Sequence, residues 1–359
     1  MSKTIKWGIL GTGYIAKEFA TGLSFVTGGE LWGVASRSLD KAEAFINEFG
    51  GTKSYNSYEA LVADPEIDIV YIATPHHRHK QDCILCLEAN KAILCEKPFA
   101  INHDEAKEII ELARQKQLFC MEAMWMRFIP SITKVKSIID SGQIGEVTTL
   151  TADFGVPTYY NPDNRFFNKD LGGGALLDRG VYTLSLAIML FGEPLDFSTQ
   201  AGIGKTGVDE QSALILRFAG GKLAILHSSL RTYTSNEATI SGTKGKITLQ
   251  QPFYRSDKIS LVQFEQPSEP TSYSSNSGLK TLIKQNPTLK NIYYKLEALK
   301  SVVKNDTILE PYEGNGYNYE AAEVVRCLQK SQIESSVMPW NETLLTMKLM
   351  EEVAGEWHK

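Results

Sequence analysis

The chain has 359 residues, 43% hydrophobic and 22% charged, with a formal net charge of −5. That length favours two domains, and that balance excludes disordered, fibrous and disulfide-framework classes. The acidic sign leaves no basic field to draw in nucleic acid or anionic lipid, and the longest apolar run, Val181–Phe191, is too short to cross a bilayer, so neither partner is expected.

The first predicted element is a short apolar strand, Ile5–Leu10, that runs into Gly11-Thr12-Gly13-Tyr14-Ile15-Ala16. This G-x-G-x-x-A turn opens a helical pattern and is the fingerprint of a dinucleotide site. Gly11 permits the tight turn, Gly13 lets backbone approach a pyrophosphate, and Ala16 lets the helix pack on the strand. The helix N-terminus, with Tyr14 and Ile15, then presents free N–H groups to the phosphates. No signal peptide precedes the strand, so a cytoplasmic protein is expected. An ordinary Gly-rich strand-to-helix turn is the plainer alternative.

A second strand, Leu31–Ser36, ends in Ser36-Arg37-Ser38 with no acid until Asp40. An acid there would bind the ribose 2′-hydroxyl of NAD. Two hydroxyls and a guanidinium suit a 2′-phosphate, so NADP is the expected cofactor and NAD the lesser one. Further strands are predicted at Ile69–Ala73, Ala92–Cys95 and Leu118–Met121, with helices near 14–25, 40–49, 57–63, 79–89 and 103–115. Alternating units of this kind argue for a doubly wound parallel sheet over residues 1–122. Ligands bind beyond the carboxyl ends of such strands. Thr74, Pro75 and His77 follow one strand there, and Glu96-Lys97-Pro98 follows another, so Lys97 is aimed at the nicotinamide. Two distractions lie nearby. His76-His77-Arg78-His79 lacks other ligands at metal spacing, so no metal is expected. Cys83 and Cys86 fall inside an apolar helix and read as buried thiols; the five cysteines suit a reducing compartment.

After residue 123 the pattern changes. A helix near 131–140 precedes strands at Val147–Phe154, Ser198–Ile203, Ser212–Phe218, Lys222–Ser229, Ala238–Ser241, Gly245–Gln250 and Lys258–Phe264. Gly220-Gly221 and Gly242-Thr243-Lys244-Gly245 read as hairpin turns. Residues 123–359 therefore form an α+β domain with an open, mostly antiparallel sheet, helices on one face. Its other face, expected to be apolar, would join a homodimer or higher oligomer. A helix near 174–191 follows Gly172-Gly173-Gly174. Asp178 and Tyr182 are four apart on it and share one face. An acid and a phenol there can orient a substrate hydroxyl and move its proton; a capping Asp and a core Tyr explain the spacing equally well. Residues 266–313 are irregular, with a loop over Gln266–Leu279 and helical spacing over Leu289–Val303. Two helices, near 317–331 and 342–357, end the chain, the last capped by Asn341.

Taken together and in order, the G-x-G-x-x-A turn, Ala73-Thr74-Pro75, Glu96-Lys97-Pro98, Glu122–Phe128 and the block from Leu171 to Tyr182 carry a resemblance. The chain resembles the glucose–fructose oxidoreductase / inositol dehydrogenase (Gfo/Idh/MocA) family. It looks closest to the branch of dimeric dihydrodiol dehydrogenases and NADP-dependent D-xylose dehydrogenases. The resemblance implies an oxidoreductase acting on a sugar or a cyclic trans-diol, with Lys97 as the catalytic lysine, Tyr182 as the proton-transfer tyrosine and Asp178 as a substrate-contacting acid. It puts Trp125, Arg127 and Phe154 in the substrate pocket, points to a cis Lys97–Pro98 bond, and leaves Arg165 and Phe191 unassigned. An ammonium 4–6 Å from a phenol lowers its pKa, so Lys97 is expected to tune Tyr182. The rivals are a cyclitol or amino-sugar dehydrogenase and an NADP-binding regulator without turnover, which would need neither Lys97 nor Tyr182.

Overall fold

The computed structural model describes residues 3–264 and 304–357, so the expectations for Gln266–Leu279 and Leu289–Val303 lie outside the described residues. The first half alternates strand and helix: β1 (Ile5–Leu10), α1 (Tyr14–Leu23), β2 (Gly29–Ala35), α2 (Leu39–Phe49), β3 (Lys53–Tyr55), α3 (Tyr58–Val62), β4 (Ile69–Ile72), α4 (His79–Glu88), β5 (Ala92–Glu96), α5 (His103–Lys116) and β6 (Cys120–Ala123). The strands form a parallel sheet in the order β3-β2-β1-β4-β5-β6. β4 and β5 are buried along their whole length, as strands covered on both faces must be. The winding reverses between β1 and β4, whose ends Leu10 and Ile72 are in register. That reversal point opens the crevice where such folds bind ligands.

The second half contributes α6 (Pro130–Asp140), β7 (Val147–Gly155), α7 (Val181–Phe191), β8 (Asp196–Ile203), β9 (Asp209–Arg217), β10 (Leu223–Ser229), β11 (Ala238–Gly242), β12 (Gly245–Leu249), β13 (Lys258–Gln263) and β14 (Lys304–Leu309). The sheet order is β14-β13-β12-β11-β7-β10-β9-β8, antiparallel except for β7 against β10. In β9, Ser212, Leu214 and Leu216 are buried while Gln211, Ala213, Ile215 and Arg217 face out. Period-two burial of this kind means that one face carries the core. α7, among the most apolar segments of the chain, packs on that face together with α9 (Trp340–Glu356). By length and composition Lys169–Phe191 could cross a membrane, yet most of it is buried inside the protein. α8 (Tyr317–Gln329) turns back onto α1, where the Asn315 amide donates to the Glu18 carbonyl at 2.8 Å, and α9 reaches α5. The last helices of the chain thus pack on the first-half sheet's helices.

Several local expectations are corrected. β3 and β14 were not foreseen; β3 has only three residues. β6 begins two residues later than expected. α9 starts at Trp340 with Pro339 at its cap position, so Asn341 lies inside the helix and caps nothing. The outer face of the second sheet is not broadly apolar. It pairs Thr149 with Ser241, Thr151 with Thr239 and Thr239 with Thr248, and its larger apolar members are Leu223, Ile225 and Ile215.

Candidate active site

A cleft of about 810 Å³ opens at the reversal point and runs from the Gly turn to Tyr182. At its nucleotide end, Gly11 has φ +103°, and a Cβ there would lie 2.9 Å from the Ala73 carbonyl. Only glycine fits between the two strand ends. A Cβ on Gly13 would meet nothing within 4 Å, so the backbone there faces open cleft. α1 has no side-chain cap and no acid in its first turn, so its N–H groups and positive dipole end are left for a ligand. The Thr74 hydroxyl is buried at the cleft wall without a hydrogen-bond partner. Tyr14 is exposed beside the turn, and Ile15, Pro75, Ser36, Arg37 and Ser38 line the same end. Ser36 Oγ accepts the Ser38 N–H at 3.3 Å, while the Ser38 hydroxyl caps nothing at the start of α2. Open backbone donors, an orphaned hydroxyl and a guanidinium with room around it fit a dinucleotide.

His77 does not belong to this wall. It is exposed, and its neighbour His76 lines the cleft instead. Burial first, then the nearby His79 and Arg165, keep His76 neutral by lowering its pKa. Lys41 and Tyr58 also line the cleft and were missed. Lys41 could have been found, since it stands four residues after Arg37 and one turn into α2.

At the other end, β5 delivers Glu96 and Lys97. Buried Glu96 accepts the Tyr71 hydroxyl on one oxygen and the Lys97 N–H at 3.1 Å on the other. The Lys97–Pro98 bond is cis, as expected. Lys97 Nζ donates to the Asp178 carbonyl at 3.0 Å and lies 3.5 Å from Asp178 Oδ1. Arg165 Nη1 donates to the same carboxylate oxygen at 3.0 Å, and Arg179 Nε stands 3.7 Å from Oδ2. Burial alone would raise the Asp178 carboxyl; Lys97 and Arg165 outweigh it and hold the group well below the usual range. Arg165 was unassigned from sequence because nothing local marks it; it arrives from the loop after β7.

A wide π-helical turn, Leu176–Gly180, carries Asp178 into α7, which carries Tyr182. The two share a face, since Lys97 Nζ touches Asp178 and sits 4.8 Å from the Tyr182 ring centroid. Tyr182 is buried, and its hydroxyl accepts Trp125 Nε1–H at 3.1 Å. The expected lowering of its pKa by Lys97 is absent. Burial drives the phenol well above 10, and the carboxylate of Glu96 adds to the rise. The ammonium is engaged by Asp178.

Trp125 stacks on Tyr317 at 4.8 Å, and Phe154 meets the Tyr182 ring at 5.4 Å, so both wall the phenol rather than the open cleft. Tyr254, which sequence reasoning passed over, stacks on Phe154 at 4.4 Å. Arg127 is corrected outright. Its guanidinium is buried, donates to Ser185 Oγ and to the Ser185 carbonyl at 2.8 Å each, and pairs with Glu342. It holds the core together and is not among the residues that line the cleft. Among the described residues no cluster could hold a metal ion, and all five cysteines are buried and free.

A dinucleotide cradle on a doubly wound sheet, facing an acid, a lysine and a phenol, defines an oxidoreductase of the Rossmann type. Comparison with known proteins gives the family. Residues 5–124 match the oxidoreductase family GFO_IDH_MocA, NAD-binding Rossmann fold, and residues 132–248 match the GFO/IDH/MocA C-terminal domain. The chain is 34% identical to a trans-1,2-dihydrobenzene-1,2-diol dehydrogenase from Xenopus tropicalis, over 97% of this chain and 96% of that one. It is also 34% identical to a D-xylose 1-dehydrogenase (NADP(+)) from Hypocrea jecorina, over 97% and 91%. Among solved structures, KijD10, a 3-ketoreductase from Actinomadura kijaniata with NADP and TDP-benzene, superposes with a TM-score of 0.80 at 22% identity, covering 98% of each chain. Aldose–aldose oxidoreductase from Caulobacter crescentus gives 0.80 at 19%, over 99% and 98%. The chain belongs to the Gfo/Idh/MocA family of oxidoreductases.

Proposed function

We propose that the protein is an NADP-dependent dehydrogenase acting on a secondary alcohol of an aldose or a cyclic trans-diol, or on the matching carbonyl. The observation that carries this reading is the convergence of Lys97, Asp178 and Tyr182 at one end of a cleft whose other end holds the Gly turn and Ser36-Arg37-Ser38. The relatives' names point to the same substrates, and two of the proteins they name use or bind NADP.

When bound, the nicotinamide supplies or accepts the hydride. The protein's part is the proton. Tyr182, held protonated by burial, acts first as a general acid toward a carbonyl oxygen; a phenol with a raised pKa keeps its proton until charge develops on its partner. In the alcohol direction a substrate hydroxyl that donates to the Asp178 carboxylate would draw that negative charge from Lys97, and the ammonium, still held beside the ring by the Asp178 carbonyl, then lowers the phenol toward working pH. Asp178 holds a second hydroxyl and so decides which carbon is presented. Glu96 fixes the Lys97 backbone through its N–H. A homodimer, joined through the part of the second sheet's outer face that carries Leu223, Ile225 and Ile215 rather than through a broadly apolar surface, and a cytoplasmic setting complete the reading, and light scattering should then report about twice the 39.9 kDa chain.

The decisive experiment is a screen of aldoses, cyclitols and trans-dihydrodiols with NADP and with NAD, followed by the absorbance of reduced cofactor. Turnover of aldoses or dihydrodiols with NADP is expected. Turnover confined to cyclitols, or NADP binding without turnover of any of them, would overturn the reading.

A further inference from the structure

Beside the Gly-rich turn, on a second cavity that Gly172, Gly173 and Leu176 also line, lies a carboxylate that the chemistry above leaves unused. Asp209 opens β9 and is 7% exposed. Its Oδ2 accepts the Leu176 N–H at 2.8 Å, and the neighbouring Ala175 N–H and Ser212 side chain favour its charged form. Ser212, three residues along β9, has its Oγ 2.9 Å from Ser228 Oγ on β10, so the strand that carries the carboxylate is tied to its neighbour through side chains as well as backbone. The third glycine of the run exists to let it in. Gly174 has φ +126°, and a Cβ there would stand 2.3 Å from Asp209 Oδ1. Gly172, with φ +74°, faces the other way, where a Cβ would come 3.2 Å from His76 Cβ in the cleft wall. The turn is thus held between the sheet and the cleft.

Leu176 begins the π-helical turn that carries Asp178 and Arg179 and feeds α7 with Tyr182. The first N–H groups of a helix have no partner within it. Nothing on the helix's own N-terminal side caps this one; the acceptor comes from a strand more than thirty residues along the chain. A cap placed on a sheet fixes the position of the turn as well as satisfying it.

We propose that Asp209 is a positioning residue: it ties the segment bearing Asp178 and Tyr182 to the second sheet and so sets where the acid and the phenol stand in the cleft. The inference rests on the reading of Lys97, Asp178 and Tyr182 as the reacting end. Misplacing a reacting group by about 1 Å can cost on the order of a hundredfold in rate.

The test compares Asp209→Ala with Asp209→Asn, which keeps a carbonyl oxygen for the Leu176 N–H. Asp209→Thr, suited to a strand but too short to reach that N–H, serves if the alanine variant does not fold. Turnover is read on whichever aldose or dihydrodiol the wild type uses, NADP affinity by fluorescence, and amide hydrogen exchange across residues 175–182. For the alanine or threonine variant, kcat should fall about ten- to a hundredfold. NADP affinity should stay within twofold and exchange across 175–182 should accelerate, with kcat of the asparagine variant within about threefold of wild type. Wild-type kcat in the alanine or threonine variant, or an asparagine variant as impaired as alanine, would overturn the proposal. If the wild type itself turns over none of these substrates, the reading of the site has failed, and the exchange measurement still decides the clamp: unchanged protection over 175–182 refutes it.

Discussion

The two walls of the cleft are built on opposite plans. The wall from the first sheet is made of backbone and short side chains left open: Gly13 faces empty space, α1 is uncapped, and the Thr74 hydroxyl has no partner. The wall from the second half is made of side chains already engaged. Asp178 is surrounded by Lys97, Arg165 and Arg179, and Tyr182 accepts from Trp125. Unfilled donors suit a ligand that arrives whole and stays, whereas engaged groups suit a substrate that must compete for each contact before chemistry begins. On this view, damage to the first wall weakens cofactor affinity, and damage to the second lowers turnover.

The largest expected effect separates the walls most sharply. Tyr182→Phe removes the hydroxyl proposed as proton donor and should lower kcat by about 10²–10⁴-fold. NADP affinity should be unchanged in equilibrium titration. Near-normal turnover would move the acid–base role to His76, the cleft histidine that faces Arg165.

Arg127 tests whether a residue near the second wall can matter without belonging to it. It is buried and paired with Glu342 and Ser185. Removing one partner of a buried pair costs about 3–5 kcal/mol. Arg127→Met should therefore lower the urea midpoint strongly, while the KM of whatever protein remains folded stays near wild type. A raised KM with unchanged stability would return Arg127 to the pocket.

A smaller effect is expected at the opposite wall. Arg37→Ala should weaken NADP by about 1.5–3 kcal/mol, the worth of a hydrogen bond to a charged group, and leave NAD untouched. Parallel titrations check it; equal losses for both cofactors would place Arg37 on the shared part of the dinucleotide. Lys41, one turn into α2, stands by to limit the loss.

The same contrast explains what could be read from the sequence. The first wall is local: strand, turn and helix lie within a dozen residues, and Gly11, Gly13, Ser36 and Thr74 signal their roles through spacing. β3 was missed because three residues are too few for a period to emerge. The second wall is assembled from afar. Arg165 comes from a loop, Tyr254 from beyond β12, and the acceptor that caps the turn before α7 from β9. Arg127 illustrates the limit: its motif placed it near the pocket, but whether a guanidinium faces a cleft or a core depends on Glu342, more than two hundred residues later. The state of Tyr182 was equally hidden, because the sequence brings Lys97 near it without revealing that Asp178 is nearer.

The smallest expected effect lies where the two plans meet. Glu122, at the end of β6, is buried; it accepts the Phe99 N–H at 3.3 Å beside the Lys97–Pro98 turn and the Thr343 hydroxyl at 3.1 Å from α9. Burial raises its carboxyl from 4.5 to about 7. A raised carboxyl means that the folded state keeps a proton which the unfolded chain releases. Stability is therefore full below about pH 4.5, falls as pH rises toward 7, and is level above. Asp209 adds a fall in the same direction, its carboxyl standing at about 7. Buried His76 and His79, both with lowered pKa, act oppositely: the unfolded chain binds protons that they refuse, so they favour folding as pH rises toward 6.5. Asp178 contributes nothing to the slope here, since its depressed carboxyl is ionised in both states above pH 5. The raw curve mixes these slopes, so the informative quantity is a difference. Glu122→Gln keeps an oxygen for the Phe99 N–H and removes one titration, leaving the others in place. Between pH 5 and 7 the variant should gain about 1–2 kcal/mol on the wild type, read from urea midpoints at each pH. A difference that stays flat across that range would mean Glu122 is ionised in the folded protein, and that water reaches the junction of the two walls.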